Sequence, residues 1–212
     1  MLSIALAAST CPASAAAQIQ TRAAKLDNIL HHVERNYQTT NSFSAKFTEQ
    51  VNSAGGTTRN QRGVVYYRKP GKMRWNFTAP QPETIVSNGA TVYSYEPDLN
   101  QVIETPLKNL LKSPSATAFL LGMGDLRQNF RASIPAANPD GLIHVLLIPK
   151  GGGDKINLGL NRGTYTLASV ILTDPMGDVT MIRLSDLKVN PPLNESLFNF
   201  KVPAGADIVR TP

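Results

Sequence analysis

The histidines and one serine–lysine pair are the side chains of this 212-residue sequence whose types and spacing suggest chemistry. His31 and His32 are neighbours in a helical pattern, where successive side chains diverge by about 100°, so the pair cannot face one metal ion. His144 alternates with apolar residues and has no cysteine or acidic residue beside it at ligand spacing, which favours a structural histidine. Ser185 and Lys188 match the S-x-x-K spacing of penicillin-recognising serine enzymes, but they stand in a strand pattern rather than at a helix start. We therefore expect no enzyme activity, no metal site and no cofactor.

The N-terminal segment is typical of a secretory signal peptide. An apolar stretch over residues 2–8 is followed by small residues, and Ala13-Ser14-Ala15 matches an A-x-A cleavage site. We predict residues 1–15 as a cleaved signal and residues 16–212 as a single exported domain. The only cysteine, Cys11, lies within the signal. Lipidation of Cys11 is the alternative, although Thr10 directly before it suits that processing poorly.

Composition and charge favour a globular chain over a nucleic-acid binder. Hydrophobic residues make up 42% of the chain, and 21 Lys and Arg against 15 Asp and Glu give a net charge of +6. The basic residues are scattered from Arg22 to Arg210 without a long run, and the aromatic platforms of RNA-binding folds are missing. No segment contains the roughly 18 apolar residues that a membrane helix needs. We expect no nucleic-acid partner.

An amphipathic helix is predicted directly after the signal. Apolar residues recur at steps of three and four from Ile19 to Tyr37, which places them on one face of a helix of about twenty residues. The opposite face is charged, and the helix ends near the polar run from Gln38 to Asn41. Such an apolar stripe indicates that the helix covers an apolar surface.

From Phe43 onward the apolar period changes to two, which is typical of half-buried strands. The clearest case is the run over residues 72–77, where Met73, Trp75 and Phe77 share one face. The predicted strands are residues 43–51, 63–68, 72–77, 83–87, 91–95, 101–104, 142–149, 155–160, 167–173, 179–188 and 198–202.

Turn residues separate these strands. Asn88-Gly89 predicts a type I′ hairpin turn, in which both central residues adopt positive φ, and Pro97-Asp98 predicts the next reversal. Between the two groups of strands, residues 115–122 predict a short helix, preceded by a loop over residues 106–114. The resulting fold class is α+β and mainly antiparallel β, with a sheet large enough to curl and helices that cover one concave face.

Several segments recur in an order that points to one family. They are FSAKFTEQ at 43–50, GVVYYRKPGKMRW at 63–75 with Pro80 after it, SNG at 87–89, VYSYEP at 92–97 and LFNFKVPAGA at 197–206. Together they span essentially the whole chain after the signal. In this order the sequence resembles the LolA family, the periplasmic carriers of outer-membrane lipoproteins.

The resemblance implies an open, incomplete β-barrel whose apolar concave face is covered by helices and holds the acyl chains of a lipoprotein. It also implies a periplasmic chaperone that accepts acylated lipoproteins from an inner-membrane ABC release complex and yields them to an outer-membrane receptor lipoprotein. Sheltering each methylene from water is worth about 0.8 kcal/mol, so acyl chains need a carrier to cross the aqueous periplasm. We expect this carrier to be a monomer.

The resemblance also implies a lid latch. In the family, an arginine directly before the proline of the 63–75 segment bonds backbone carbonyls of the covering helix, and the matching residue here is Lys69. Lysine keeps the positive charge but loses the planar five-donor fork of arginine. Strand alternation places Arg68 on the opposite face, where it cannot substitute for Lys69. The predicted residues of the acyl cavity are Phe43, Phe47, Val65, Tyr67, Met73, Trp75 and Phe77.

Two other functions stay open from the sequence alone. One is a related lipid-handling protein, either the lipid-anchored outer-membrane receptor, which lipidation of Cys11 would favour, or a carrier of another amphiphile such as a glycolipid. The other is an esterase-like enzyme, for which only the spacing of Ser185 and Lys188 argues. Hydrolysis that is abolished by Ser185→Ala would be needed to support an enzyme.

Overall fold

The computed structural model describes residues 13–110, 126–135 and 140–211, with only the backbone of residues 13–16. The helices in these ranges are α1 (Ala13–Thr39), α2 (Leu107–Leu110) and α3 (Leu126–Asn129). The strands are β1 (Ser42–Asn52), β2 (Thr58–Arg68), β3 (Lys72–Ala79), β4 (Glu83–Asn88), β5 (Thr91–Glu96), β6 (Gln101–Pro106), β7 (Phe130–Ser133), β8 (Ile143–Pro149), β9 (Lys155–Leu160), β10 (Leu167–Thr173), β11 (Val179–Val189) and β12 (Asp207–Arg210).

The twelve described strands form one sheet in the order β12-β6-β5-β4-β3-β2-β1-β11-β10-β9-β8-β7. Within β1–β6 and within β7–β11 consecutive strands pair antiparallel, and β1 pairs antiparallel with β11, which joins the two halves of the sheet. Only β12 runs parallel to its neighbour, β6. The edge strands β7 and β12 do not pair with each other, so the sheet stays open. The expected fold class, mainly antiparallel β with an incomplete barrel, is confirmed.

Helix α1 covers one face of the sheet, which we call the inner face. It spans 27 residues without glycine or proline, and Ile29 and Leu30 are buried against Leu147 and Leu158 of the sheet. The N-terminal part of the predicted apolar stripe behaves differently, because Ile19 is 67% exposed. None of the described helices is both long and apolar enough to cross a membrane.

The predicted strands from 43–51 through 179–188 are confirmed, with small changes at their ends; β2 begins earlier than predicted, at Thr58. The short strands β7 and β12 were not predicted. Helix α2 occupies residues 107–110 of the predicted loop at 106–114, so the loop prediction is wrong there. The predicted helix at 115–122 lies outside the described residues.

The prediction of a strand over residues 198–202 is wrong. Residues 191–206, here called the C-terminal strap, cross the outer face of the sheet before β12 pairs with β6. The strap contains a 3-10 turn, Glu195–Phe198, whose preceding residue Asn194 accepts a hydrogen bond from the backbone of Ser196 at 2.9 Å. The ring of Phe200 stacks on Tyr93 at 5.2 Å between centroids. The alternating apolar residues here pack side chains onto the sheet instead of pairing their backbone with a strand.

The predicted type I′ turn at Asn88-Gly89 is also wrong in detail. Gly89 has a φ of 96°, whereas Asn88 is not among the residues with positive φ and remains in β4. The side-chain oxygen of Asn88 accepts hydrogen bonds from the backbone of Ala90 at 2.8 Å and Thr91 at 2.9 Å. These bonds hold Asn88 extended and shift the turn to Gly89 and Ala90. The predicted reversal at Pro97-Asp98 is confirmed as a 3-10 turn, Pro97–Leu99.

Candidate functional site

The residues proposed for an acyl cavity lie on one face of three neighbouring strands. Phe43 of β1 is opposite Tyr67 of β2, and Tyr67 is opposite Met73 of β3. In the next pair along the strands, Val65 is opposite Trp75. Directly opposed residues of neighbouring strands point to the same face, so these side chains form a continuous apolar row. The row lies on the inner face.

Gly63 allows the aromatic rings to meet at the centre of this row. Phe47 and Phe77 are both opposite Gly63, and their ring centroids are 5.0 Å apart. The ring of Trp75 lies 4.6 Å from Phe47 at an interplanar angle of 69°, the edge-to-face arrangement that aromatic rings prefer. These rings, with Val65 and Met73, are buried in one cluster. They therefore pack mainly against one another.

A cavity of about 140 Å³ lies between the C-terminal half of α1 and the sheet. Phe43 and Tyr67 border it, with their rings stacked at 5.1 Å between centroids. Val33 and Tyr37 of α1 form its roof, and Leu184 of β11 is among the residues on its sheet side. The structure thus places two of the seven predicted residues at an apolar space and five in the packed cluster beside it. Contact of all seven with an acyl chain stays a prediction.

Lys69 reaches the C-terminal end of α1 from the connection between β2 and β3. Its ammonium nitrogen Nζ donates hydrogen bonds to the backbone carbonyl oxygens of Tyr37 and, at 3.4 Å, Gln38. The last carbonyls of a helix have no partner within the helix and carry partial negative charge, so a cation is favourable there. Burial lowers the pKa of Lys69 from its ordinary value. Arg68 points to the outer face, where it bonds the backbone oxygen of Leu193 at 3.2 Å.

Helix α1 is also held farther along its length. Arg127 of α3 lies 2.5 Å from the carboxylate of Asp27 and 2.9 Å from that of Glu34. These contacts are solvent-exposed pairs, which contribute only modestly to stability. Lys69 thus contacts α1 at Tyr37, a residue that borders the cavity, whereas Arg127 ties the helix to the sheet edge at β7.

The side chains of Tyr37 and Tyr67 both border the cavity. Tyr67 is only 2% exposed. Burial, and secondarily the bond to Tyr37, raise the pKa of Tyr67, so its hydroxyl stays protonated at neutral pH. Sequence reasoning placed Tyr37 in the apolar stripe and gave it no role. The sequence offered one indication of a role for Tyr37, which is that an aromatic ring with a hydroxyl group stands in the last turns of that stripe.

The inner face becomes polar beyond the aromatic cluster. Glu49 of β1 is opposite Gln61 of β2, and Gln61 is only 7% exposed. Burial raises the pKa of Glu49, the charge of Arg59 opposes this shift, and the charge of Glu83 adds to it. The apolar row therefore ends at a carboxylate that is costly to ionise in the fold.

We expect Glu49→Gln to stabilise the fold at pH 8 and to leave it unchanged at pH 4. Because the folded pKa is raised above the ordinary value of 4.5, the penalty for ionising Glu49 is absent below that value and develops as the pH rises through the folded pKa. Denaturant titration at the two pH values measures the difference, with Glu96→Gln, at an exposed position, as the control. An equal stabilisation at both pH values would contradict this assignment.

The residues considered first for chemistry have structural partners. His144 is 6% exposed, and its Nε2 lies 3.0 Å from Asp140 while its Nδ1 lies 3.1 Å from the amide oxygen of Asn157. The hydrogen bond from His144 lowers the pKa of Asp140. The interpretation of His144 as a satisfied structural histidine is confirmed, but the expectation that no acidic residue stands beside it is wrong, because Asp140 lies four residues before it in the sequence. Ser185 and Lys188 lie within strand β11 rather than at a helix start.

The adjacent histidines on α1 diverge as expected. The ring of His32 stacks on Tyr165 at 4.3 Å between centroids, whereas His31 lies 2.9 Å from a guanidinium nitrogen of Arg35. Within residues 13–110, 126–135 and 140–211, no three His, Cys, Asp or Glu side chains are grouped to hold a metal ion.

Comparison with known proteins agrees with this geometry. Residues 38–201 match the profile of the family described as outer membrane lipoprotein carrier protein LolA. The chain is 35% identical over 177 residues to the outer-membrane lipoprotein carrier protein of Methylobacillus flagellatus, covering 82% of this chain and 84% of that protein. It is 31% identical over 207 residues to the carrier protein of the same name from Cupriavidus necator, covering 95% of this chain and 96% of that protein.

A solved structure shares the fold. An uncharacterized conserved protein from Thermus thermophilus superposes with a TM-score of 0.54 over 87% of this chain and 98% of its own. The two sequences are 16% identical, so this likeness concerns the fold alone.

Proposed function

The chain belongs to the LolA family of outer membrane lipoprotein carriers, and from that premise we propose that its inner face shelters the acyl chains of lipoproteins during transport to the outer membrane. The observation that carries the proposal is the apolar row from Phe43 to Phe77, which continues into the cavity beneath α1. Each methylene sheltered there contributes about 0.8 kcal/mol. The acyl chains of a cargo therefore gain the most free energy when they bind to the inner face, which α1 covers.

Loading requires α1 to move. The cavity of about 140 Å³ is smaller than the roughly 300–1,000 Å³ of typical small-molecule pockets, and an acylated lipoprotein brings more than one long chain. Movement of α1 away from the sheet would join the cavity to the aromatic cluster of Phe47, Trp75 and Phe77. We propose that the row, the cavity and the latch at Lys69 form one site that is closed when empty.

The proposed transport route starts from this closed state. Residues 1–15 act as a signal and residues 16–212 as the mature domain in the periplasm, and cleavage after Ala15 leaves the packed residues Ile29 and Leu30 of α1 in place. The mature monomer accepts acylated lipoproteins from an inner-membrane ABC release complex and passes them to an outer-membrane receptor lipoprotein. It performs no catalytic step, because transfer needs only the exchange of one apolar environment for another.

The test is release of lipoproteins from spheroplasts by the purified mature protein, followed by gel filtration and mass analysis of the complex. We expect a soluble complex that contains an acylated lipoprotein. Val189→Arg, which places a charge at the cavity wall on a residue 48% exposed, should reduce release strongly. Met176→Arg, at a turn position 84% exposed, is the matched control and should release normally. An empty protein, or one loaded with a glycolipid, would overturn the proposed cargo.

A further inference from the structure

We infer that the outer face of the sheet carries a second binding site, a basic groove that docks the protein on the surface of a membrane rich in anionic phospholipids. The inference goes beyond the proposed function, because it concerns the face of the sheet opposite to α1 and involves no acyl chain. The groove binds the phosphate groups of the lipids through Arg62 of β2 and Arg183 of β11.

One row of residues across three neighbouring strands forms the floor of the groove. Thr48 of β1 is opposite Arg62 on one side and opposite Arg183 on the other. Gly63, the next residue of β2, faces the ring of Phe47 on the inner face, so Arg62 points to the outer face. Neighbouring strands are about 4.8 Å apart, so the backbones of the two arginines are about 10 Å apart. A phosphate group above Thr48 is therefore within reach of both guanidinium groups.

The groove has a volume of about 460 Å³, and its outer-face polar residues all carry hydrogen-bond donors. These residues are Thr48, Gln50, Asn60, Arg62 and Arg183. Among the described residues that line the groove one is acidic, Glu49, and strand alternation places its side chain on the inner face, where it is opposite Ile182. The chemistry of the groove is therefore that of an anion site.

Neither guanidinium group has a partner within the part of the chain that the structure describes. Both arginines are exposed, and their side chains make no ion pair or hydrogen bond there. The pKa of Asp140 is lowered chiefly by its hydrogen bond to His144 and least by the charge of Arg183. The planar fork of a guanidinium group matches the oxygens of a phosphate, which it binds with two parallel hydrogen bonds. Two such forks are available on the outer face.

A membrane surface fits this groove better than a single dissolved anion does. Exposed charges are screened by salt, so two open guanidinium groups hold one phosphate ion only weakly. An anionic membrane presents many phosphates at once and attracts each arginine that lies near its surface. Met181 and Ile171, which are opposite each other in β11 and β10, are half-buried on the same face and offer apolar atoms to the lipid interface.

The described parts of the chain leave the groove open. The C-terminal strap crosses the outer face at the other end of β2 and β3, where Arg68 and Arg74 donate hydrogen bonds to backbone oxygens of the strap. Lys69 follows Arg62 by seven positions (69 − 62), which is roughly 20 Å along an extended chain. The groove is therefore separate from the latch and from the inner face, and docking leaves the cargo covered.

Flotation of the purified mature protein with lipid vesicles tests the inference. We expect the wild type to float with vesicles of equal parts phosphatidylglycerol and phosphatidylcholine, and to stay behind with vesicles of phosphatidylcholine alone. Arg62→Gln and Arg183→Gln should each weaken binding about fivefold, and the double variant about 25-fold, because each arginine near an anionic surface contributes about that factor. Added sodium chloride should weaken the binding of the wild type.

Arg22→Gln is the matched control. It removes the same charge from an exposed position of α1, away from the groove, and should float like the wild type. An equal loss in all the single variants would show that only net charge matters, and this result would overturn the groove. Wild-type flotation of the double variant would overturn it too, as would binding of inorganic phosphate by a protein that does not float. Release of lipoproteins from spheroplasts tests the proposed function separately, so either idea can fail alone.

Discussion

Replacing Lys69 by leucine is expected to slow transfer of cargo to the receptor by about ten- to a hundredfold and to leave most of the carrier loaded. A hydrogen bond made by a charged group contributes roughly 1.5–3 kcal/mol, and each 1.4 kcal/mol is tenfold in an equilibrium. Lys69 bonds the end of α1 while that helix lies against the sheet, and under the proposed function these bonds break when α1 moves away to admit cargo. Loss of these bonds therefore favours the open, loaded state over the closed state that accompanies release.

The measurement is the rate at which a purified carrier–lipoprotein complex transfers its cargo to membranes that contain the receptor. Lys25→Leu removes a lysine from the exposed face of the same helix and should transfer normally. Lys69→Arg keeps the positive charge and adds the planar fork of a guanidinium group. This variant should transfer cargo at least as fast as the wild type. Unchanged transfer by Lys69→Leu would remove Lys69 from the mechanism.

The largest expected effect on folding is that of Gly63→Ala. A Cβ at this position would lie 1.9 Å from the backbone oxygen of Asn76 and 2.9 Å from Cε1 of Phe47. A backbone carbonyl in a paired strand cannot move aside without breaking the β2–β3 ladder. Overpacking of a core costs about 1–3 kcal/mol even where side chains yield, so we expect a loss at or above about 3 kcal/mol.

Urea titration of Gly63→Ala measures this loss, and Gly55→Ala is the matched control. Nothing lies within 4 Å of the Cβ that alanine would add at Gly55, so its stability should change by less than about 0.5 kcal/mol. A stable Gly63→Ala variant would show that the aromatic cluster does not depend on the close contact of β1 and β3 across Gly63. The side chains and strands of the inner face would then adapt to an added methyl group more easily than their close packing indicates.

The sequence predicted most strands because a half-buried strand alternates, as at Met73, Trp75 and Phe77. It failed where the stabilising contact comes from a distant part of the chain. Strand β7 has only four residues, too few for a period, and its partner is β8. The C-terminal strap alternates as a strand does, but its apolar residues are satisfied by packing, with the guanidinium of Arg68 5.2 Å from the ring centre of Phe198.

The site was predictable on one side only. Alternation grouped Phe43 with Tyr67, which are opposite each other in the sheet, and the family resemblance singled out Lys69, which contacts the end of α1. The residues that roof the cavity are set by how α1 crosses the sheet. A local sequence pattern does not determine this crossing. Leu184 and Tyr37 meet at the cavity although 147 positions separate them (184 − 37). For the same reason, only the structure could show that Tyr37 and Tyr67 border the same cavity.

The most direct test of the account is quenching of the single tryptophan, Trp75, by a bound lipoprotein whose acyl chains are brominated near their middle. Bromine quenches tryptophan only at close range, and Trp75 lies at the centre of the inner-face row. We predict that the complex with brominated cargo fluoresces much less than the complex with unbrominated cargo, and that delivery to the receptor restores the emission. Equal emission from the two complexes, with cargo binding verified by mass, would contradict the placement of acyl chains on this face.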